Sequence, residues 1–183
     1  MLGLCLLMLN SDDARSKFTA IYEKYHQQMF NVAMILMGNV YDAEEAVQSA
    51  LFAIARCVDG LDTSDESLVE IYVLKAVRNT CYNMTKKMGR QPVIVSVDNV
   101  GQEYIETDVA ETVCSNEAYQ RLVEVIKSMP YAYRDVLVLS LVFEQSVKQT
   151  AIIMSRPERT VRSQLKRGRQ ILIKVLKEAK RYE

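Results

Sequence analysis

The chain has 183 residues, 49% of them hydrophobic, with 23 basic and 23 acidic side chains and a formal net charge of +0. That is enough to bury a core, and the first nine residues, Met1 to Leu9, fall well short of the roughly 20 that a membrane helix needs, so no membrane insertion is expected. Cys5, Cys57, Cys81 and Cys114 show no CxxC spacing and His26 is the single histidine, which argues against a zinc site or disulfide framework and for reduced thiols in a cytoplasm.

The leader lacks the basic segment and small-residue cleavage site of a secretory signal, and the simplest expectation is that translation starts at Met8. The first helix then begins at Asn10 or Ser11, with Asp12 and Asp13 suited to the positive end of the helix dipole. Phe18, Ile21, Tyr22, Tyr25, Met29, Ala33 and Leu36 form its apolar face, which stops at the helix-ending pair Gly38-Asn39. A second helix, from about Asp42 to Val58, buries Ala43, Val47, Ala50, Ile54 and Cys57. Its other face shows Glu44, Glu45, Gln48 and Phe52; first-turn carboxylates suit the dipole, but the aromatic beside them points to a partner surface.

The third helix runs from about Ser67 to Met88. Val73, Val77, Cys81, Met84 and Met88 face inward, while Tyr72, Lys75, Arg78, Asn79, Tyr82 and Lys86 gather opposite. From Ile71 to Arg90 there are five basic residues and no acidic one. Cations interleaved with tyrosines suit phosphates and exposed base faces, the composition of a platform for a single strand.

Between Arg90 and Arg121 there is no Lys or Arg, while Asp98, Glu103, Glu106, Asp108, Glu111 and Glu117 give six negative charges. Residues 91–115 therefore read as an acidic linker between a helical domain at 10–90 and a second at 116–183. Pro92-Val-Ile-Val-Ser-Val97 has strand-like composition but no neighbouring strand to pair with, and is expected to be extended.

The second domain carries the most specific signal. Val147 to Met154 supplies a short helix that ends just before Pro157, the spacing of a helix-turn-helix. In the next helix, Ser155 is placed to cap the exposed N–H groups, Glu158 to complete a capping box, and Pro157 to occupy the first turn. Val161, Leu165, Gly168 and Leu172 form an apolar stripe, with Arg159, Arg162, Lys166 and Arg169 about 100° around the axis. From Arg156 to the end there are ten basic residues against three acidic ones, so the tail is about +7 and the rest about −7. A second helix of this kind enters the major groove with its N-terminal residues at the base edges.

These segments together resemble the bacterial sigma factors, specifically the short two-domain extracytoplasmic-function type. Asp42-Ala-Glu-Glu-Ala-Val-Gln-Ser-Ala-Leu-Phe52 resembles the family's polymerase-binding helix. Tyr72-Val-Leu-Lys-Ala-Val-Arg-Asn79 is similar to a segment that normally begins with tryptophan. Met129-Pro-Tyr-Ala-Tyr-Arg-Asp-Val-Leu137 and Thr160-Val-Arg-Ser-Gln-Leu-Lys-Arg-Gly-Arg169 follow the patterns of the second domain. The departures are the absence of Trp, Arg159 where a glycine is common, and Lys148-Gln149-Thr150-Ala151 where Glu-Glu-Ile-Ala is favoured.

The resemblance implies an all-α protein of two small domains that directs core RNA polymerase to promoter DNA, with no catalysis, cofactor, metal or small-molecule substrate of its own. It implies −35 contacts by Arg162, Ser163, Lys166 and Arg167, to which the helix start adds Arg159. It implies −10 contacts by Tyr72, Lys75, Arg78, Asn79, Tyr82 and Lys86, with the loop from Asp59 to Glu66 forming part of a pocket for an extruded base. Polymerase docking falls to Glu44, Glu45, Gln48 and Phe52, and an anti-sigma factor is an expected further partner. Two other readings are a one-component regulator binding DNA as a dimer, which would use the same reader helix, and a helical-bundle metalloenzyme, which needs two Glu-x-x-His pairs, whereas His26, with Glu23 three residues before it, is the single histidine.

Overall fold

Eight α-helices make up the described residues, 2–89 and 116–179, of the computed structural model, and none of these residues is in a strand. They are α1 (Leu2–Leu6), α2 (Asp12–Met37), α3 (Val40–Cys57), α4 (Glu66–Lys87), α5 (Asn116–Ser128), α6 (Tyr131–Leu137), α7 (Val147–Met154) and α8 (Glu158–Ala179). The linker at 91–115, the segment Pro92 to Val97 and Cys114 lie outside the described residues. None of the described helices is long and apolar enough to cross a membrane.

Local chemistry sets the ends of the first three long helices. Ser11 caps α2, its Oγ accepting from Ala14 N at 3.0 Å, and Asp12 and Asp13 fill the first turn. Gly38 ends it at φ 83, a left-handed conformation that glycine adopts without penalty. Asn39 then caps α3 by accepting from Asp42 N at 2.9 Å, so α3 starts two residues earlier than its periodicity indicates. Asp65 caps α4 through Ser67 N and Leu68 N.

These three helices pack on one another around Phe18, Met29, Val32, Val47, Leu51, Ile54 and Leu74, all fully buried. Several expectations change here. Cys57 is exposed rather than buried, because Leu51, Ile54 and Ala55 complete the inward stripe. Met88 is 42% exposed, since α4 ends one residue before it. The leader forms a helix of its own: α1 packs on α2 and α3, with Cys5 and Leu9 buried.

In the C-terminal half, α6 and α7 lie against α8. Val161, Leu165 and Leu172 are buried on α8, as their spacing indicates. Between α6 and α7 the chain widens into a π-type turn, Val138–Val142, in which Phe143 N donates to Val138 O at 3.1 Å and Gln145 N to Leu139 O at 2.9 Å.

The reader helix begins differently from expectation. Ser155 does not cap α8; it ends α7 in a left-handed conformation, φ 50 and ψ 46, its N–H directed at Ala151 O and Ile152 O. Pro157 precedes α8 rather than lying in its first turn, and its carbonyl accepts from Thr160 N and Val161 N. Glu158 turns to Arg162, one turn along, instead of back to Ser155. A capping box does exist, one helix earlier: Ser146 and Gln149 satisfy each other's backbone N–H groups at the start of α7.

The two halves meet, α4 against α7, and their buried apolar residues form one cluster. This contact positions the candidate site.

Candidate nucleic-acid interface

Three surfaces carry the functional residues expected from the sequence. The first is the exposed flank of α8. Val161, Leu165 and Gly168 commit one side of the helix to α6 and α7, which turns Arg159, Arg162 and Lys166 outward, with Ser163 and Arg167 half-buried beside them. Arg162 Nη2 donates to Glu158 Oε2 at 2.9 Å, an exposed pair that leaves the guanidinium 69% accessible. Such a pair contributes little to stability and yields readily to a competing anion. At the root of the turn Arg156 Nη1 donates to the buried Gln164 at 3.1 Å, bracing the helix start.

The second surface lies on α3, where Glu44, Glu45 and Gln48 are exposed while Ala43, Ala46, Val47 and Ala50 are buried. Phe52 departs from the expected exposed aromatic. It is half-buried and packs on the core, leaving one edge at the surface.

The third surface, on α4, is where the structure differs most from the sequence expectation. Tyr72, Lys75, Asn79 and Tyr82 are half-buried and Lys86 is exposed, but Arg78 is only 6% exposed. Its Nε donates to Asp135 Oδ2 of α6 at 3.2 Å, and its Nη1 to Asn79 Oδ1 at 3.2 Å. The guanidinium also lies over the Tyr82 ring, 5.2 Å from the centroid, and Tyr82 in turn sits 5.8 Å from Tyr131 of α6. Helical periodicity places Arg78 among the basic residues of α4; what it cannot show is that α6 covers its guanidinium.

Asp135 was missed by the sequence reading and is the centre of this contact. It is 1% exposed, with Arg134 Nε 3.8 Å from its Oδ1 as well as Arg78 on Oδ2. Burial pushes its carboxyl above the ordinary value, against the opposing pull of Arg78 and Arg134. Burial likewise raises the Tyr131 phenol, reinforced by the Asp135 charge. Burial also holds Arg156 below the usual guanidinium range, with the like charge of Arg78 adding to it. The only sequence signal for Asp135 was an acid flanked by Arg134 and Val136 on an otherwise apolar helix.

Two further bonds cross between the halves. Gln145 Nε2 donates to Glu70 Oε1 at 3.2 Å, an oxygen that also accepts from Gln28 Nε2 at 2.8 Å, and Gln149 Nε2 donates to Ser67 Oγ at 3.2 Å. The loop before α4 holds a short turn at Val58–Gly60, and Asp62 accepts from Ser64 N at 2.9 Å; the Ser64 hydroxyl first, and this N–H second, lower the Asp62 carboxyl. Ser11 reaches this loop, donating to Asp59 Oδ1 at 3.3 Å.

Comparison with known proteins matches both halves. Residues 21–91 match the family described as Sigma-70 region 2, and residues 119–172 match Sigma-70, region 4. The chain is 25% identical over 171 residues to the ECF RNA polymerase sigma factor SigW of Bacillus subtilis (strain 168), spanning 88% of this chain and 89% of that one. Its fold is similar to that of CnrH, solved in complex with the cytosolic domain of CnrY, with a TM-score of 0.59 and 14% identity over 96% of each chain.

Proposed function

The chain is an extracytoplasmic-function sigma factor of the sigma-70 family, a subunit that directs core RNA polymerase to promoter DNA and starts transcription, and from that premise we propose a division of labour among its surfaces. Residues 10–90 form a promoter-opening and polymerase-binding domain, 91–115 a linker, and 116–183 a domain that reads the −35 element. It works by binding alone, in the cytoplasm, and leaves all chemistry to the polymerase.

In this reading α8 enters the major groove of the −35 element through Arg159, Arg162, Ser163, Lys166 and Arg167. The observation that carries it is the split of α8 into a side packed on α6 and α7 and an exposed basic flank that begins at a tight turn. Cations at a helix start can reach both phosphates and the acceptor edge of guanine.

The α4 face takes the opened −10 strand. Tyr72 and Tyr82 offer stacking surfaces, Asn79 both donates to and accepts from a base edge, and Lys75, Arg78 and Lys86 hold phosphates. The loop from Asp59 to Glu66 lines the pocket of an extruded base. Asn79→Ala then impairs opening of a duplex promoter but is partly rescued on a template whose −10 region is already mismatched, since the unstacking cost is gone. An equal loss on both templates would remove this face from strand opening.

Glu44, Glu45, Gln48 and the open edge of Phe52 dock on core polymerase. Charge reversal at Glu45 combined with Gln48→Ala lowers affinity for core by about tenfold, since like charges facing each other across an interface are repulsive. Both side chains are exposed, so the melting temperature is expected to hold. The deciding experiment is transcription in vitro with core polymerase on a promoter library: the chain confers promoter-specific initiation, and absence of specific transcripts would overturn the division. CnrH, whose fold this chain shares, was solved with CnrY, which supports an anti-sigma factor as a further partner here.

A further inference from the structure

Lys148 of α7 belongs to none of the three surfaces above, yet its place is fixed more closely than that of most exposed lysines. The chain on either side of it is held. Ser146 and Gln149 close their capping box around it, Gln149 Nε2 donates to Ser67 Oγ at 3.2 Å, and Thr150 is fully buried. Val147 and Gln149 are half-buried, while Lys148 between them is exposed. Among the described residues its ammonium enters no ion pair or hydrogen bond.

The direction of Lys148 follows from what it lines. Lys148, Ile152, Ser155, Pro157 and Glu158 border one open cleft, which runs from the first turn of α7 to the first residue of α8. Ile152, one turn along from Lys148, is 44% exposed. Glu158 is followed at once by Arg159, the first of the cations assigned to the −35 element. Lys148 thus lies on the side of α7 that faces what the start of α8 meets. Glu158 does not cancel its charge, since that carboxylate is engaged by Arg162 at 2.9 Å.

When the second helix of a helix-turn-helix enters the major groove, the first crosses the sugar–phosphate backbone beside it. That backbone alternates anionic phosphates with apolar sugar carbons. The α7 face presents a cation and an apolar side chain at i and i+4, one above the other. Glutamate, favoured by the family at this position, would repel a phosphate; lysine inverts the sign.

We propose that Lys148 is a phosphate anchor of the −35 duplex, holding the backbone beside the groove that α8 reads and so fixing how far along the duplex α8 sits. This rests on the −35 assignment of α8. A phosphate contact carries no base information but sets register and orientation. Its energetic signature is counterion release, each neutralised phosphate adding about 0.9 to the slope of log affinity against log salt.

The test uses the full chain assembled with core polymerase, on a promoter duplex and on single-base variants of its −35 element. Lys148→Gln is expected to bind all of them about fivefold less tightly at low salt and to flatten the salt slope by about 0.9. Parent and variant then draw about threefold closer between about 50 and about 200 mM salt. Lys148→Arg, which keeps the cation, is expected to restore both affinity and slope. Replacing −35 phosphates one at a time by neutral methylphosphonates is expected to weaken the parent at a position to which Lys148→Gln is indifferent. Parent-like affinity and slope in Lys148→Gln, with Lys166→Ala still weakening the complex, would overturn the anchor and leave α8 in place. A loss confined to one base pair would make Lys148 a reader of sequence and overturn it too. Weaker binding to core polymerase with an unchanged salt slope on DNA would give Lys148 to a protein partner instead. A duplex bound equally by the parent, Lys148→Gln and Lys166→Ala would overturn the anchor together with the α8 assignment.

Discussion

Gly168 of α8 lies so close to Leu137 of α6 that a Cβ added to it would stand 3.1 Å from Leu137 Cδ1. The glycine lets α6 and α8 approach at the point where the reader helix is braced from behind, at a helix-propensity cost of about 1 kcal/mol relative to alanine. Leu137 is fully buried and has little room to withdraw. Gly168→Val is expected to destabilise the chain by about 1–3 kcal/mol through overpacking. Gly168→Ala is expected to be near neutral, its propensity gain offset by displacement of Leu137. Urea unfolding of the two variants checks this, and a valine variant as stable as the parent would refute the close fit.

Ser155 holds a left-handed conformation in the turn between α7 and α8. A side chain there costs roughly 1–2 kcal/mol relative to glycine, part of which glycine returns through its freer unfolded chain. Ser155→Gly is expected to raise stability by up to about 1 kcal/mol without changing promoter preference, since Ser155 is not among the DNA-reading residues. A lower melting temperature in the glycine variant would show that the serine side chain has a stabilising partner.

On α8, Arg162 and Lys166 are expected to separate by role. Arg162→Ala is expected to lose about 1–3 kcal/mol on the preferred −35 sequence and to relax discrimination at one base pair, whereas Lys166→Ala weakens all sequences alike and flattens the salt dependence. Competition binding against single-base variants at two salt concentrations distinguishes them. A uniform loss from both substitutions would leave α8 holding phosphates only.

Cys81, fully buried on α4, has its thiol pushed up to about 12, first by burial and then by the charge of Asp135, from an ordinary value of 9.0. The unfolded chain releases this proton near 9 while the folded chain keeps it. The contribution is therefore whole below about pH 9 and is lost progressively as pH rises toward about 12. Tyr131, also raised, adds to the loss in the same direction. The urea midpoint is expected to fall between about pH 8 and about pH 10.5, and Cys81→Ala to flatten the fall. A midpoint independent of pH across that window would contradict it. Alkylation at mildly alkaline pH is expected at exposed Cys57 and not at Cys81.

The parts legible in the sequence are those that neighbours decide. Ser11, Gly38 and Asn39 mark helix ends through bonds to residues three or four positions away, and the stripe from Val161 to Leu172 marks the buried side of α8. The start of α8 was misplaced because two grammars overlap at Ser155, Pro157 and Glu158. A serine three residues before a glutamate signals a cap, yet the tight turn after α7 needs that serine in the left-handed region, where it cannot cap. The spacing along α4 separates its polar residues from its buried ones, but not the burial of Arg78 among them. The partner that buries Arg78 lies 57 residues away in sequence, and no period along α4 encodes a neighbour at that separation. The packing of α1 went unread for the same reason, since Cys5 and Leu9 show their purpose only against α2 and α3.

The π-type turn at Val138–Val142 has a consequence for angular phase. A turn that closes through the fifth residue rather than the fourth takes up one residue more than an α-helical turn. It shifts the phase of the helix end by about 100°, and Glu144, at φ 52, then turns the chain, so that Gln145 reaches Glu70 and α7 starts where it lies on α4. Deleting one residue within the turn would restore α-helical winding and leave each half with its own sequence intact, but facing the wrong way. The seam between the halves is thus keyed to a single residue of chain length, far from the side chains that form it.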